Sequence, residues 1–239
     1  MKLETHCHLI GTSVCADCPM DVMIDKYKSA GYDGIVVTNH LHPRYFASYP
    51  GETKKEKTDY FFSVYDEFKS KCEKAGIKTF LGAEVLVVCP EGHAEYIMYG
   101  FDRDFIYDNR PLYELTQKEL FELCDKNGIF LFKAHPFRTK EIAGDPKYMH
   151  GAEYFNGHYH HRNNNEEARE FCNKNNLVKL SGTDFHHEDQ PITAGIIISD
   201  DIANEKELVK IILDGNYRLI EEEEEYLSAH KKHLEGKLK

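Results

Sequence analysis

Basic side chains are scarce in this 239-residue chain, which has 30 Lys and Arg against 41 Asp and Glu and a formal net charge of −11. A protein that binds bulk nucleic acid gains affinity when its basic surface releases counterions from the phosphates. The charge balance therefore predicts no stable binding to bulk nucleic acid.

The sequence also lacks an uninterrupted apolar run of about 18 residues, the length that crosses a bilayer. Its first residues lead directly into charged and His positions, which differs from the apolar start of a secretory signal. Tryptophan is absent, yet a hydrophobic content of 41% is enough for a sizeable core. We therefore expect a folded, cytoplasmic protein without a membrane partner.

Seven cysteines are scattered along the chain, an odd number that favours reduced thiols over a disulfide framework. Cys15 and Cys18 form the one close pair. A redox motif would place such a pair at a helix start in a βαβ unit, and the flanking Asp17 and Pro19 do not favour that arrangement. Thiol–disulfide chemistry is thus the less favoured interpretation of this pair.

Segments with strand and helix periodicity alternate along the chain, starting with a strand at 2–5, a helix at 20–30 and a strand at 34–38. The remaining predicted elements are helices at 60–74, 116–127, 165–174 and 205–213, and strands at 78–88, 95–100, 129–132, 152–155, 177–180 and 194–199. This alternation predicts an α/β protein with a mainly parallel sheet, and about seven such units favour a closed barrel over an open sheet. No fixed repeat or Pro/Gly/Ser-rich linker interrupts the pattern, so we predict one domain over residues 1–239.

Three segments fall outside this alternation. The stretches 40–56 and 136–150 are predicted as long loops, of the kind that carries function. An acidic run at 221–225 followed by several lysines predicts a C-terminal helix, because this charge order complements the helix dipole. We expect that helix to pack, solvated, on the outside of the barrel, and a tail that binds a partner is the alternative.

Most of the 14 histidines follow predicted strands. His6 and His8 end the first strand at positions i and i+2, which places both imidazoles on one face of an extended chain. The other polar side chains at strand ends are His40, His135, Asp184 and His186, and Glu84 lies within a strand. Because the C-terminal ends of the strands in a parallel barrel lie on one face, these side chains are expected to meet there and to form a shared metal centre. Mixed imidazole and carboxylate ligands suit Zn²⁺, Mn²⁺ or Fe²⁺, and a carboxylate can bridge two ions.

Five segments resemble, in order and approximate spacing, the motifs of the PHP (polymerase and histidinol phosphatase) family. They are Thr5-His6-Cys7-His8, Thr38-Asn39-His40, Gly82-Ala83-Glu84, Ala134-His135-Pro136 and Gly182-Thr183-Asp184-Phe185-His186. The resemblance spans nearly the whole chain. It implies a distorted seven-stranded, TIM-like β/α barrel with two or three divalent metal ions at the strand ends, and metal-dependent hydrolysis of phosphoesters.

The resemblance also implies which residues share an ion. His6, His8, Glu84 and Asp184 resemble the ligands of one ion, Glu84 with His135 those of a second, and His40 with His186 those of a third. Two positions depart from the pattern and stay open. Asp17 or a neighbouring cysteine stands where a further His or Asp is usual, and Glu95 or His93 where a further His is usual; Glu95 fits the strand better.

The function implied by this resemblance is hydrolysis of a small-molecule phosphomonoester by metal-bound hydroxide, since bound ions lower the pKa of water to about 7. Besides Asp184, His42 and His187 are candidates to assist the leaving group. The candidate phosphate-binding cations are Arg138, Arg44, Lys133 and Arg162, and the possible additional contacts are Glu153, Asn156, His158, His160 and His161.

Two other functions fit part of the pattern. An amidohydrolase-type barrel also begins with H-x-H and ends with an Asp on a late strand, and it would hydrolyse C–N or ester bonds. Such barrels place no ligand like His40 after the second strand. A non-catalytic, regulatory metal-binding barrel is the third possibility, and the complete set of Glu84, His135 and Asp184 argues against a degenerate site.

Overall fold

The computed structural model describes residues 1–199 and 201–237, and within them ten strands form one mixed sheet. The strands are β1 (Lys2–Cys7), β2 (Gly34–Val37), β3 (His40–Leu41), β4 (Lys78–Cys89), β5 (Gly92–Tyr99), β6 (Phe130–Lys133), β7 (Gly151–Asn156), β8 (Val178–Gly182), β9 (Ala194–Ile198) and β10 (Tyr217–Glu221). The helices are α1 (Met20–Ser29), α2 (Pro43–Ser48), α3 (Lys54–Ala75), α4 (Arg103–Asp108), α5 (Gln117–Lys126), α6 (Asn165–Lys174), α7 (Glu205–Leu213) and α8 (Glu223–Lys237). The predicted domain of 1–239 also includes Asp200, Leu238 and Lys239, which lie outside the described residues.

Seven strands follow one another around a nearly closed barrel, in the order β1-β2-β4-β5-β6-β7-β8. The ring closes beyond β8, where Phe185 forms a parallel bridge with Cys7 and accepts a hydrogen bond from the His8 N–H at 3.0 Å. The other half of this edge of β1 pairs with β9, through Lys2 and Leu3. The predicted β/α barrel is confirmed, with β3, β9 and β10 added outside the ring.

Strand β5 reverses the direction that the sequence pattern suggested. It forms a hairpin with β4 and runs antiparallel to both β4 and β6, whereas the remaining neighbours within the ring pair in parallel. As a result, the first residues of β5 lie at the face where the parallel strands end. A side chain near the start of this strand therefore reaches the same site as side chains at the ends of the others.

Apolar side chains form two layers, one inside the ring and one outside it. The inner cluster draws on six of the seven ring strands, which only a shared interior permits, and it also contains Leu208 and Ile212 of α7. On β2, Val36 belongs to this inner cluster, while Ile35 and Val37 belong to the outer one. This alternation follows from the two-residue period of a strand.

Several predicted boundaries needed correction. The helix predicted at 60–74 begins at Lys54, because Thr53 and Glu56 form a capping box at its start. The predicted loop at 40–56 contains β3 and α2, and the acidic run at the C-terminus is divided between β10 and α8.

Among the described residues, no helix has the length and apolar character needed to cross a membrane.

A bulge in β1 sets the direction of its last side chains. Leu3 lies in the inner cluster and Cys7 in the outer one, although residues four apart share a face in a regular strand. The pairing register with β2 shifts between Glu4 and Cys7. The extra residue therefore turns His6 and His8 towards the barrel interior, as bulges do beside many active sites.

The carboxylate of Glu4 holds this bulge. Its Oε1 accepts hydrogen bonds from the backbone N–H groups of Thr5 (2.9 Å), His6 (2.8 Å) and Thr183 (2.9 Å). Its Oε2 accepts a bond from the Tyr27 hydroxyl at 2.8 Å. Burial raises the pKa of Glu4 to about 7, although these hydrogen bonds act in the opposite direction.

We expect Glu4→Met to destabilise the protein by roughly 3–5 kcal/mol, because it leaves three buried backbone N–H groups without an acceptor. Tyr27→Phe, which removes one hydroxyl partner of the same carboxylate, should cost only about 1 kcal/mol. Urea unfolding of both variants measures the two values. Equal losses would show that the N–H groups find other acceptors and that Glu4 does not hold the bulge.

Candidate metal centre

Seven polar side chains that the sequence placed at strand ends or within a strand are buried together at one end of the barrel. None is more than 7% exposed. They are His6, His8, His40, Glu84, His135, Asp184 and His186. They lie at the ends of parallel strands, at the start of β3 and in the middle of β4. The seven side chains therefore meet at one face of the barrel, as the barrel geometry predicts.

The first group of donor atoms comes from β1, β4 and the segment after β8. His6 Nε2 and His8 Nε2 lie 2.9 Å apart, and both lie 3.3 Å from Asp184 Oδ1. Each is also 3.4 Å from one oxygen of Glu84. Ligands about 2.0–2.2 Å from a shared tetrahedral ion are about 3.3 Å from one another, so these spacings suit a single cation.

Glu84 extends this group towards β5 and β6. Its Oε1 lies 3.1 Å from His135 Nε2, and its Oε2 lies 2.8 Å from His40 Nδ1. Glu95, near the start of β5, places its carboxylate oxygens 3.7 Å from His40 Nδ1 and 3.6 Å from His135 Nε2. Glu84 therefore stands between two groups of donors, as a bridging carboxylate would.

A third group gathers on the other side of His40. The nitrogens of His8, His40 and His186 lie within 4.8 Å of one another, and Cys15 Sγ is 3.5 Å from His40 Nε2. Burial opposes ionisation of Cys15, but hydrogen bonds from His186 and His40 lower the pKa of this thiol to about 5. A thiolate is a strong ligand for Zn²⁺, so Cys15 completes this group.

Asp17 does not join the centre, contrary to one of the two sequence interpretations. Its side chain is 71% exposed and pairs with His187 Nδ1 at 3.1 Å. The tight turn after β1 directs Cys15 inwards and Asp17 towards solvent. The other open alternative was between Glu95 and His93. The Glu95 carboxylate lies among the donor atoms, whereas His93 lies two residues earlier on the hairpin, opposite Val88.

The two candidate ligands that follow β6 and β8 adopt backbone conformations that non-glycine residues rarely use. His135 has φ 27° and Asp184 has φ 53°. Glu153 of β7 supports this geometry, because its carboxylate contacts His6 Nδ1 at 2.8 Å and accepts a bond from the His135 N–H at 2.7 Å. Strain of this kind persists where the surroundings hold it in place, and it is common at active sites.

Lys133 pairs with a carboxylate beside His135 and is not exposed to a substrate. It is fully buried, and its ammonium group lies 2.9 Å from Glu141 Oε2. Glu141 Oε1 in turn lies 2.9 Å from His135 Nδ1. The prediction that Lys133 binds phosphate is therefore corrected: its ammonium group is buried and pairs with Glu141, whose second oxygen contacts His135. Sequence reasoning missed Glu141, since nothing in its loop position distinguishes it.

Neighbouring charges keep the carboxylates of Glu84 and Asp184 anionic. Burial alone would raise the pKa of Glu84, but the nearby His6 and His40 hold it well below its usual range. Asp184 is held low in the same way by His6, Arg138 and His186. Glu95 differs, because burial and the neighbouring Glu84 charge raise its pKa to about 7.

The donor set fits divalent cations. Glu84 Oε2 is buried and has no hydrogen bond of acceptable geometry, although His40 Nδ1 lies only 2.8 Å away. A buried carboxylate oxygen without a donor is costly, and a bound cation would satisfy it. Imidazole, carboxylate and thiolate together suit a borderline ion of the Zn²⁺ type.

Arg138 is the predicted cation that reaches the centre. It is 11% exposed and pairs through Nη2 with Asp184, and the same nitrogen lies 3.1 Å from Asn156 Oδ1. Its Nε donates to Asn163 Oδ1 at 3.1 Å. Among the described residues, no hydrogen bond involves Nη1. Arg44 on α2 and Arg162 after β7 are exposed, away from these contacts.

The two predicted leaving-group residues lie at the rim. Nδ1 of His42 caps α2 by accepting the Arg44 N–H at 3.1 Å, and burial together with His40 lowers the pKa of His42 to about 4. This imidazole is neutral near pH 7, which makes it a poor proton donor. His187 pairs with Asp17 as described above, and its ring lies 4.2 Å from that of His160.

Comparison with known proteins gives the fold an independent test. No family model matches the sequence, and no curated protein matches it. Among solved structures, the chain is similar to a two-domain protein from Bacteroides vulgatus that is described as containing a predicted PHP-like metal-dependent phosphoesterase, with a TM-score of 0.64 and 17% identity over 97% of this chain and 69% of that one. It is also similar to PsfC from Pseudomonas syringae, with a TM-score of 0.67 and 14% identity over 98% of each chain.

A third similar structure is an amidohydrolase from Chromobacterium violaceum with bound SO4 and no metal. The TM-score is 0.58, with 11% identity over 92% of this chain and 98% of that one. At such identities the similarity shows the fold alone. The fold is thus the one shared by PHP-like phosphoesterases and this amidohydrolase, in agreement with the motif resemblance.

The central position of Glu84 predicts the metal content of its variants. After loading with Zn²⁺ or Mn²⁺ and desalting, the wild-type protein should retain two or three ions per chain at this centre, measured by elemental mass spectrometry as a difference from variants of the centre. Glu84→Gln should lose at least two, because the amide removes the charge shared by two donor groups. Glu119→Gln, at the start of α5, is the matched control and should retain all of them. Full retention by Glu84→Gln would contradict the bridging role.

Proposed function

We propose that this protein is a metal-dependent hydrolase of small-molecule phosphomonoesters, working at a centre of two or three divalent ions. The observation that carries the proposal is the position of Glu84 between His6 and His8 on one side and His40 and His135 on the other. Paired ions supply a Lewis acid for the phosphoryl oxygens and lower the pKa of water to about 7.

Side chains of this protein would bind the phosphoryl group and position the imidazoles of the centre. Arg138 lies against Asp184 with Nη1 free of protein hydrogen bonds among the described residues, so it can donate to a phosphoryl oxygen. Glu153 and Glu141 fix the orientation of His6 and His135. Buried donors already in place lose little free energy to reorganisation when the substrate binds.

Hydrolysis of a C–N or carboxylic ester bond is the alternative, and the amidohydrolase from Chromobacterium violaceum shares the fold. Two features favour phosphate. Arg138 offers a guanidinium group, whose geometry suits phosphate oxygens, at the edge of the centre. His40, at the start of β3, adds a donor group that the amidohydrolase pattern lacks. The cytoplasmic location stays a prediction.

Substrates with one leaving group separate the two reactions. We expect metal-loaded protein to hydrolyse p-nitrophenyl phosphate well above the buffer rate and to leave p-nitrophenyl acetate and p-nitroacetanilide near that rate. His135→Ala should lower the phosphatase rate by about 100-fold or more, with an unchanged circular dichroism spectrum. Faster turnover of the acetate or the anilide would instead identify an amidohydrolase-type enzyme.

Arg138→Ala should lower kcat/KM for p-nitrophenyl phosphate by roughly 10- to 100-fold through a higher KM, because it removes a charged hydrogen bond to the phosphate. Arg44→Ala on exposed α2 is the control and should change it little. Metal content measured in parallel decides the cause. If Arg138→Ala loses ions in the same proportion as activity, the residue orients Asp184 and does not bind substrate.

A further inference from the structure

A second cluster of histidines lies at the rim of the barrel, beside the candidate metal centre, where the ring of His158 stacks on that of His186. Nitrogen atoms of His158, His160 and His187 lie within 4.8 Å of one another. His158 and His160 belong to the segment between β7 and α6, and His187 to the segment between β8 and β9. Three imidazoles with one open position are a familiar set of zinc ligands.

The C-terminal helix adds a fourth imidazole to this cluster. The ring of His233 on α8 stacks on that of His160, with centroids 4.0 Å apart and an interplanar angle of 24°. Two nitrogens here are buried and have no hydrogen-bond partner, His158 Nδ1 and His233 Nε2. Unpartnered buried polar atoms cost free energy, and coordination of a cation would satisfy them.

Two carboxylates lie beside this cluster. Asp17 contacts His187 Nδ1 at 3.1 Å, which leaves Nε2 of that ring for a ligand, in the way carboxylates orient metal-binding histidines. Asp189 lines the adjacent cleft, where it accepts a hydrogen bond from the Tyr159 hydroxyl at 2.7 Å.

We propose that His158, His160 and His187 form a peripheral site for a divalent ion of the Zn²⁺ type. Because the ring of His233 on α8 stacks on that of His160, an ion that fixes His160 would also hold the C-terminal helix against the segment after β7. The first half of α8 has protein contacts of its own, through the Tyr226 hydroxyl and His230 Nδ1. Beyond them Lys231, Lys232 and Leu234 are exposed, so the ion would anchor the last turns of the helix.

The test uses Zn²⁺ itself and the full chain. Zinc retained after desalting is measured by elemental mass spectrometry, and trypsin cleavage after Lys231 and Lys232 reports the anchoring of α8. We expect His160→Gln to lose one zinc per chain relative to wild type. We also expect Zn²⁺ at about ten times its dissociation constant to slow this cleavage roughly tenfold in wild type and not in His160→Gln.

Two further variants separate this site from the metal centre and from surface binding. His150→Gln, at a histidine beside β6 that bonds the Leu131 N–H, should keep the wild-type zinc content and protection. Glu84→Gln should keep the zinc-dependent protection of α8, even where it has lost the ions of the centre. The proposal is overturned if His160→Gln retains as much zinc as wild type, or if Zn²⁺ protects α8 equally in both proteins.

Discussion

The bulge that Glu4 holds in β1 is the constraint on which the centre depends. Without it, His6 and His8 would share the outward face with Glu4 and pack against α1, because a strand alternates its side chains. The same carboxylate binds the Thr183 N–H, one residue before Asp184. A single buried acid therefore fixes the direction of two imidazoles and the position of the carboxylate that lies 3.3 Å from both.

The buried ionisable side chains of the centre need charged partners, and neighbouring residues of the barrel provide them. Burying an ionised group is costly unless it is paired and hydrogen-bonded. Three of the seven side chains accordingly have a charged partner: Glu153 for His6, Glu141 with Lys133 for His135, and Arg138 for Asp184. Glu153 also binds the backbone N–H of His135, and the Gln190 side chain binds the backbone carbonyl of Asp184, so packing around the site holds both residues at positive φ.

The sequence predicted the members of the centre better than their supports. Strand ends can be located from periodicity, and a parallel barrel brings those ends to one face, so His6, His40 and Asp184 were expected to meet. Glu4 could not be identified, because an acid in a short strand looks like ordinary alternation. The choice between Cys15 and Asp17 depended on the conformation of a turn, and the direction of β5 depended on a hairpin. Neither leaves a clear periodic signal.

The charges of the centre set an order for binding. Glu84, Glu95, Glu153 and Asp184 lie within one small buried volume, and the chain as a whole carries −11. A phosphate dianion entering this volume would meet carboxylates at close range, and Arg138 already pairs with Asp184. Divalent ions reverse the sign of the local potential, which a whole-chain charge cannot reveal. For the proposed phosphatase activity, an anionic substrate would therefore require the cations to bind first, and the acidic composition that argues against polyanions is compatible with that activity.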